Sequence, residues 1–520
     1  MLLFNDFSPQ RRHQHRVLAR WGDALRWAAM ILLAIGGCNV GPDYQPPQVK
    51  VAGSYFAASS GGAAGSSTSR PTQISEQAAR VTQWWALFND PTLNSLIDEA
   101  LESNLDLRLA QARVREARAL RAVASGGEYP TISASAAYSY QRLSKNAPRY
   151  NAFSIPGFPW EFDLYQAGFD ASWELDIFGR VRREVQAADA TVGASVEERR
   201  NVLLSLLAET ARNYAELRGF ERQLAIALQN QRLGRQTVEL TRNRVANGVA
   251  PELDLTRAQA QSATTSARIP SLRIEVDQAL TRLGVLLGRD ALELEPRLMR
   301  REPATTQPTD VALPELLALP AEVPVGFPSD LLRRRPDIRR AERQLAASTA
   351  RIGSAVADLF PRFSLTGNFN MQSGDLGSLV DLNSRSFGFG PSVMWPIFEG
   401  GSLRAAIDVR NAQQQQALVQ YQITVINAVR EVRDAITTFG YEQDRRAQLN
   451  AAVTADRKSY DMANQMYQQG LVDFLAVLDA ERSLFASEDA LAQSDRLVLT
   501  DLIALYKALG GGWEIELMPR

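Results

Sequence analysis

The chain repeats itself. Asp106 and Tyr129-Pro130 recur as Asp337 and Phe360-Pro361 at an offset of 231. Ile177-Phe178 recurs as Ile397-Phe398 at 220, and Gly248 and Gly288 recur as Gly470 and Gly510 at 222. A length of 520 residues would ordinarily suggest several independent domains. The duplication instead implies one supersecondary unit used twice: helix, strand, strand, long helix, turn, return helix. The second copy opens most legibly, at Phe327 to Asn370. There Ser329 is expected to cap a short turn over 330–332 and Pro336 to begin a helix. Phe360-Pro361 should end that helix and lead into a strand.

Two stretches set the dimensions. Val181 to Asn247 and Leu403 to Gln469 contain no proline. Each, as a helix, would reach roughly 100 Å at 1.5 Å per residue. No globular domain has room for two such helices, whereas a coiled or tubular assembly does. In the first, Val196, Leu203, Thr210, Leu217, Leu224, Gln231, Val238 and Val245 recur at sevens. Arg200, Glu221, Arg235 and Arg242 interrupt that seam, so it is weaker than a zipper. The many Ala and polar positions suit helices packed around a wet bore rather than a dry core. Each long helix should end at a glycine turn, Asn247-Gly248-Val249 and Gln469-Gly470-Leu471-Val472, because glycine supplies the left-handed cap. Return helices are expected over Leu253–Ala267 and Phe474–Tyr506.

Four segments alternate with period two. Ile132, Ala134, Ala136, Tyr138 and Tyr140 form one apolar series; Tyr165, Ala167, Phe169, Ala171, Trp173 and Leu175 form the next. Phe363, Leu365, Phe369 and Met371, then Phe387, Phe389, Val393 and Trp395, repeat the pattern. Alternation over about ten residues marks a transmembrane barrel strand. The bland alternative is a half-buried soluble sheet, but no other strand-rich stretch exists to pack on these. Four strands cannot close a barrel, and an open edge in lipid leaves backbone groups unsatisfied, so the chain must oligomerise. The hairpin tips, near Leu143–Glu161 and Gln372–Arg385, read as long polar loops.

The usual reactive groups are missing. One Cys and two His are present, and both His lie in the first fifteen residues. Disulfides, His/Cys metal sites, Ser-His triads and Cys nucleophiles are thereby excluded from the rest of the chain. The 57 basic and 58 acidic residues argue against a nucleic-acid surface. Residues 1–24 carry Arg11, Arg12, Arg16 and Arg20, and Trp27 to Gly36 is apolar but too short to span a bilayer. That order reads as a secretory signal. It ends Ala34-Ile35-Gly36-Gly37-Cys38, which resembles the bacterial lipobox and implies lipidation at Cys38. The acyl chains would anchor firmly at about 0.8 kcal/mol per buried CH₂. Trp84-Trp85 and Phe88 read as apolar anchors onto a helical body rather than sugar-stacking rings.

FPSDLLRRRPDIRRAERQLAA, from Phe327, together with the duplicated pattern, resembles the outer membrane factor (TolC-type) family. The similarity is to its lipoprotein branch (NodT/OprM-like), which serves resistance-nodulation-division efflux systems, and runs from about Cys38 to Trp513. It implies an α+β membrane protein: a trimeric outer membrane β-barrel with four strands per chain, continued by a long α-helical periplasmic barrel of two internal repeats. It also implies passive efflux of drugs, toxic compounds or metal ions. The implied partners are a homotrimer, a periplasmic adaptor (membrane fusion protein), an inner membrane pump and outer membrane lipid, with no nucleic acid. No cofactor is implied beyond diacylglyceryl and palmitoyl groups on Cys38. The two glycine turns become periplasmic tips: Gly248, Val249, Gly470, Leu471 and Val472 would meet the adaptor. Asp479, Asp254 and Asp473 would form carboxylate rings that narrow the entrance and prefer cations. The plainer reading of those aspartates is that acids suit the first turns of helices.

The expected organisation is a signal peptide at 1–37 and a lipidated lead and linker at 38–83. Repeat 1 spans 84–288, with strands near 131–141 and 163–176 and a long helix at 181–247. A Pro-rich equatorial segment spans 289–328. Repeat 2 spans 329–513, with strands near 363–372 and 386–397 and a long helix at 403–469; a tail at 514–520 follows. Alternative functions are a duct for type I protein secretion, an envelope coiled coil without a pore, and a carboxylate-only hydrolase. The residues offer no facing acid pair for the last.

Overall fold

A computed structural model describes residues 39–49, 53–55, 70–75, 77, 82–144, 160–299 and 313–517. The expected signal segment, Cys38, nearly all of the linker at 57–72 and most of the first hairpin tip lie outside them. The element order is β1 (Gln73–Ser75), a 3-10 turn (Trp84–Phe88), α1 (Pro91–Ser103), α2 (Leu105–Gly126), β2 (Thr131–Arg142), β3 (Glu161–Leu175), α3 (Arg180–Ala246), α4 (Glu252–Leu287), α5 (Ala291–Leu298), β4 (Glu322–Pro324), α6 (Pro328–Arg334), α7 (Pro336–Ala357), β5 (Arg362–Ser373), β6 (Arg385–Met394), α8 (Ser402–Gln468) and α9 (Phe474–Ala508). The chain divides into two compact units. No helix among the described residues is long and apolar enough to cross a membrane.

The first unit takes 39–47, Glu116–Gly193 and Arg343–Val419. Its sheet is antiparallel, in the order β2-β3-β5-β6, leaving β2 and β6 as unpaired edges. Directly opposed residues share a face, so the register decides whether the four apolar series coincide. They do. Ala134 opposes Phe169, which opposes Phe369, which opposes Phe387. Ile132, Tyr138, Phe169, Leu365, Phe369, Phe387, Phe389 and Val393 on that face are all exposed. At one end of the sheet the Trp173 indole N–H donates to the Glu128 carbonyl at 3.1 Å, and Trp395 does the same to Leu359 at 3.1 Å. The last strand is shorter than the alternation suggests: β6 ends at Met394, and Trp395 lies beyond it.

The opposite face carries Ser133, Asp170, Thr366 and Asn368 around a shallow cavity of about 550 Å³. Gly168 is required there. A Cβ on it would stand 2.5 Å from the Phe369 carbonyl oxygen and 2.8 Å from Asn370 Cα. The second hairpin tip is less polar than expected: Leu376, Val380 and Leu382 are exposed around two 3-10 turns.

The first described residues are clamped to the strand–helix junction of the same unit. Val40 N–H donates to the Phe178 carbonyl at 3.3 Å, and the Arg183 guanidinium donates to the Val40 and Gly41 carbonyls and pairs with Asp43 at 2.9 Å. Gly41 (φ +84°) passes so close to α7 that a Cβ would lie 2.6 Å from Gly353 Cα.

The second unit takes Gln48–Arg115, Ala194–Glu342 and Gln420–Arg520. Trp84, Trp85 and Phe88 are buried in its core, and Trp84 stacks on Tyr506 at 5.2 Å. The seam of α3 buries Leu203, Leu207, Thr210, Tyr214 and Leu217. The RRRPD run is a clasp. Arg335 chelates Asp337 (3.0 and 2.7 Å), donates to the Ala508 carbonyl (3.0 Å) and pairs with Glu431 (2.8 Å). Trp513 donates to the Arg334 carbonyl at 2.9 Å, with Arg200 and Arg339 over its ring.

Several expectations change. Ser329 is not the cap of α6; Phe327 holds that position, and the Asp330 carboxylate accepts from the Phe327 N–H at 3.1 Å. The first return helix does not stop near Ala267 but runs to Leu287 with Pro270 inside it. Pro270 removes one helical hydrogen bond, to the Ser266 carbonyl, and it lies exposed, where water can serve that carbonyl. The Pro-rich segment is not wholly irregular: α5 begins at an Asp290 cap, and β4 pairs in parallel with β1. The expected tail begins as a 3-10 turn, Trp513–Leu517.

Candidate functional site

Both long helices, each 67 residues, end alike. Gly248 (φ +72°) and Gly470 (φ +76°) adopt the left-handed conformation. Val249 N–H donates to the Arg244 carbonyl (2.8 Å) and Gly248 N–H to that of Val245 (2.9 Å). Leu471 and Gly470 repeat this onto Met466 (2.9 Å) and Tyr467 (3.0 Å). This double bond pattern closes the carbonyl end of a helix and turns the chain back. A Cβ would meet nothing within 4 Å at either glycine, so conformation and not crowding demands glycine.

The turns are apolar outside. Val249 and Leu253 are 63% and 55% exposed, and Leu471 and Leu475, each 222 further on, are 65% and 44% exposed. Val472 is half-buried and packs against a small core of Tyr460, Tyr467, Phe474, Val477 and Leu478. Arg244 links the hairpins: it donates to the Tyr467 carbonyl at 2.9 Å and lies 4.4 Å from the Tyr467 ring centre. Burial raises the Tyr467 phenol above its ordinary value; Arg244 opposes the rise and Asp254 adds to it.

The three aspartates sit in three settings. Asp473 is the N-cap of α9 and accepts from Ala476 N–H at 3.1 Å, which satisfies an otherwise orphaned donor. Asp254 lies half-buried in the first turn of α4, close to Tyr467. Asp479 is exposed one turn into α9. Of the three, Asp479 is thus the exposed carboxylate not used as a cap.

Sequence reasoning missed the buried acids of α9. Glu481, Glu488 and Asp495 recur at sevens and are 1%, 7% and 6% exposed. Glu488 pairs with Arg457, and Asp495 pairs with Arg446 at 2.5 Å and Arg222 at 3.6 Å. The heptad spacing was visible, but the burial depends on α8, whose partner residues the spacing does not name. Among the described residues no group of His, Cys, Asp and Glu could hold a metal ion.

An exposed apolar sheet face with open edges, two 67-residue helices and two apolar turns suit a conduit, and comparison with known proteins points the same way. The outer membrane efflux protein family matches residues 96–289 and 327–511. The antibiotic efflux pump outer membrane protein ArpC and the toluene efflux pump outer membrane protein TtgC, both of Pseudomonas putida, are each 34% identical over 491 residues, 93% of this chain and 95% of theirs. The solved structure of the outer-membrane channel OprN superimposes with a TM-score of 0.79 at 35% identity, over 92% of this chain and all of that one. The chain is a member of the outer membrane efflux protein family.

Proposed function

We propose that the chain forms, as a homotrimer, the outer membrane conduit of a tripartite efflux pump, and that it conducts small molecules passively from periplasm to exterior. The observation that carries this is the sheet. Its apolar face is continuous across four strands, while β2 and β6 are left unpaired. Unpaired edges are not tolerated in lipid, so copies must join edge to edge. Three copies of four strands would give twelve, within the range of known membrane barrels. The recurrence of the capped turns 222 residues apart supports two structural repeats per chain.

In this reading the turns at Gly248-Val249 and Gly470-Leu471-Val472 are the periplasmic tips that meet an adaptor. Asp479, repeated by symmetry, narrows the entrance, with Asp254 beside it; Asp473 serves the helix as its cap. Acyl chains on Cys38 would attach next to Asn39, and the clamp on Val40 to Asp43 holds that point at the strand–helix junction. The cargo stays open, because ArpC and TtgC are equally similar to this chain and are named for an antibiotic and for toluene. The test is a photo-crosslinker at Val472 in living cells. Capture of a periplasmic adaptor of a proton-driven pump supports the assignment. Capture of an ATP-driven exporter's adaptor moves it to protein secretion.

A further inference from the structure

The buried acids of α9 differ at one layer. Glu488 and Asp495 each face an arginine, while Glu481, the most buried of the three, has no cation within ion-pair distance among the described residues. Among the described residues it accepts from the Thr237 hydroxyl of α3, at 3.0 Å, a hydroxyl that the Leu233 carbonyl shares at 3.2 Å. Every element around it can be named. From α3 come Thr237 and Gly234, where a Cβ would lie 3.5 Å from the Glu481 carboxylate. From α4 come Ser262 and Gln261, and Gln261 holds the neighbouring Arg482 at 2.9 Å, so that Arg482 exerts only a distant pull. From α8 comes the Tyr460 phenol, beside Thr237, with Asp461 behind it. The rest of the layer is the small apolar core beneath the second turn. The facing seam of α3 is itself poorly satisfied toward the turn: Gln223 Nε2 and Asn230 Oδ1 are buried without partners among the described residues, and Asn230, Gly234, Thr237 and Thr241 replace the leucines found above.

We propose that Glu481 is a proton-operated latch on the second hairpin: protonated, it holds α8 and α9 against α3; ionised, it loosens them. A carboxylate without a cation in an apolar layer is costly, whereas the acid form can stay. Burial raises its proton affinity, the Thr237 bond partly offsets that, and Arg482 lowers it slightly further. The sign follows. The packed state binds the proton more tightly than the loosened state. Packing is therefore fullest below the solvated glutamate value, about 4.3. It weakens as pH rises from there through the raised value and stays weak above it. Glu481 lies two residues beyond Asp479, so loosening would widen the entrance; that last step alone rests on the functional reading above.

The experiment uses the purified full-length assembly and two readouts across pH 4 to 8. Hydrogen exchange of amides 469–485, corrected for intrinsic rates, reports the latch. Bilayer current reports the entrance. Wild-type exchange should rise with pH, about tenfold for each factor of ten by which packing strengthens proton binding. Glu481→Gln should abolish that rise. Thr237→Val, which removes a donor favouring the carboxylate, should move its midpoint to higher pH. An unchanged pH profile in Glu481→Gln, or an unmoved midpoint in Thr237→Val, overturns the proposal. A profile lost in exchange but absent from the current upholds the latch and rejects only the placement of the entrance.

Discussion

Arg335 should hold the start of the second repeat to the end of the chain, and its removal can be costed. Its side chain is 9% exposed and satisfies four contacts: two to Asp337, one to Glu431 and one to the Ala508 carbonyl. Breaking a buried pair by deleting one partner costs about 3–5 kcal/mol. Glu431 is 47% exposed and Asp337 21% exposed, so water can recover part of the loss and the lower end, about 3 kcal/mol, applies to Arg335→Ala. That is roughly two decades in an opening equilibrium. Arg335→Lys keeps the charge but has no planar fork for Asp337 and cannot reach all four acceptors, so about 1.5 kcal/mol is expected. Hydrogen exchange over 505–513 is the assay, because the Leu509 and Gly510 N–H groups bond to the carbonyls of the last α9 turn. The expected order of protection is wild type, Lys, then Ala, with about a hundredfold between the ends. Equal protection in Arg335→Ala and wild type would refute the clasp and leave the RRRPD run without a structural role.

Three other outcomes follow from the geometry. Asp473→Ala should cost about 1 kcal/mol and fray residues 474–478 in hydrogen exchange, whereas Asp479→Ala should leave stability within about 0.5 kcal/mol and raise single-channel current. Asp501, whose carboxyl burial and then Glu442 push up to about 6, favours the folded state when protonated. Its contribution is full below about 4 and lost as pH rises through about 6, so Asp501→Asn should stabilise at pH 8 by about 1 kcal/mol, discounted for partial exposure, and not at pH 4; melting at both pH values reads this. Gly168→Ala should abolish heat-stable assembly in outer membranes, and adding Asn370→Gly should not restore it, because the Phe369 carbonyl still blocks the new Cβ at 2.5 Å.

Much of this is legible in the sequence because the signals are periodic. Period-two alternation named the four strands, and the absence of proline named both long helices within a residue of their bounds. Gly248 and Gly470 carried the turns, since only a left-handed residue closes a helix that way. What stayed hidden depends on partners distant in sequence. β1 and β4 are three residues each, too short for a pattern, and pair beside Thr72, which binds Gln443 and the Pro320 carbonyl. The sequence groups Asp473 with Asp254 and Asp479 near the turns but does not show that its carboxylate accepts from Ala476 N–H. Glu481 gives no signal of its own in the sequence, because its burial and its Thr237 partner on α3 come from residues distant along the chain. The proposed acylation of Cys38 rests on the Ala34-Ile35-Gly36-Gly37-Cys38 pattern alone.

In the proposed trimer the open edges of one sheet are closed by other copies. Cysteine pairs scanned between β2 (Thr131–Arg142) and β6 (Arg385–Met394) test it most directly. Both edges are unpaired within a chain, so any disulfide between them must join two molecules. A closed ring predicts crosslinked dimers and trimers and nothing larger, with the trimer resistant to heat until reduced. Monomer alone at every pair, or a ladder running past three, would contradict it.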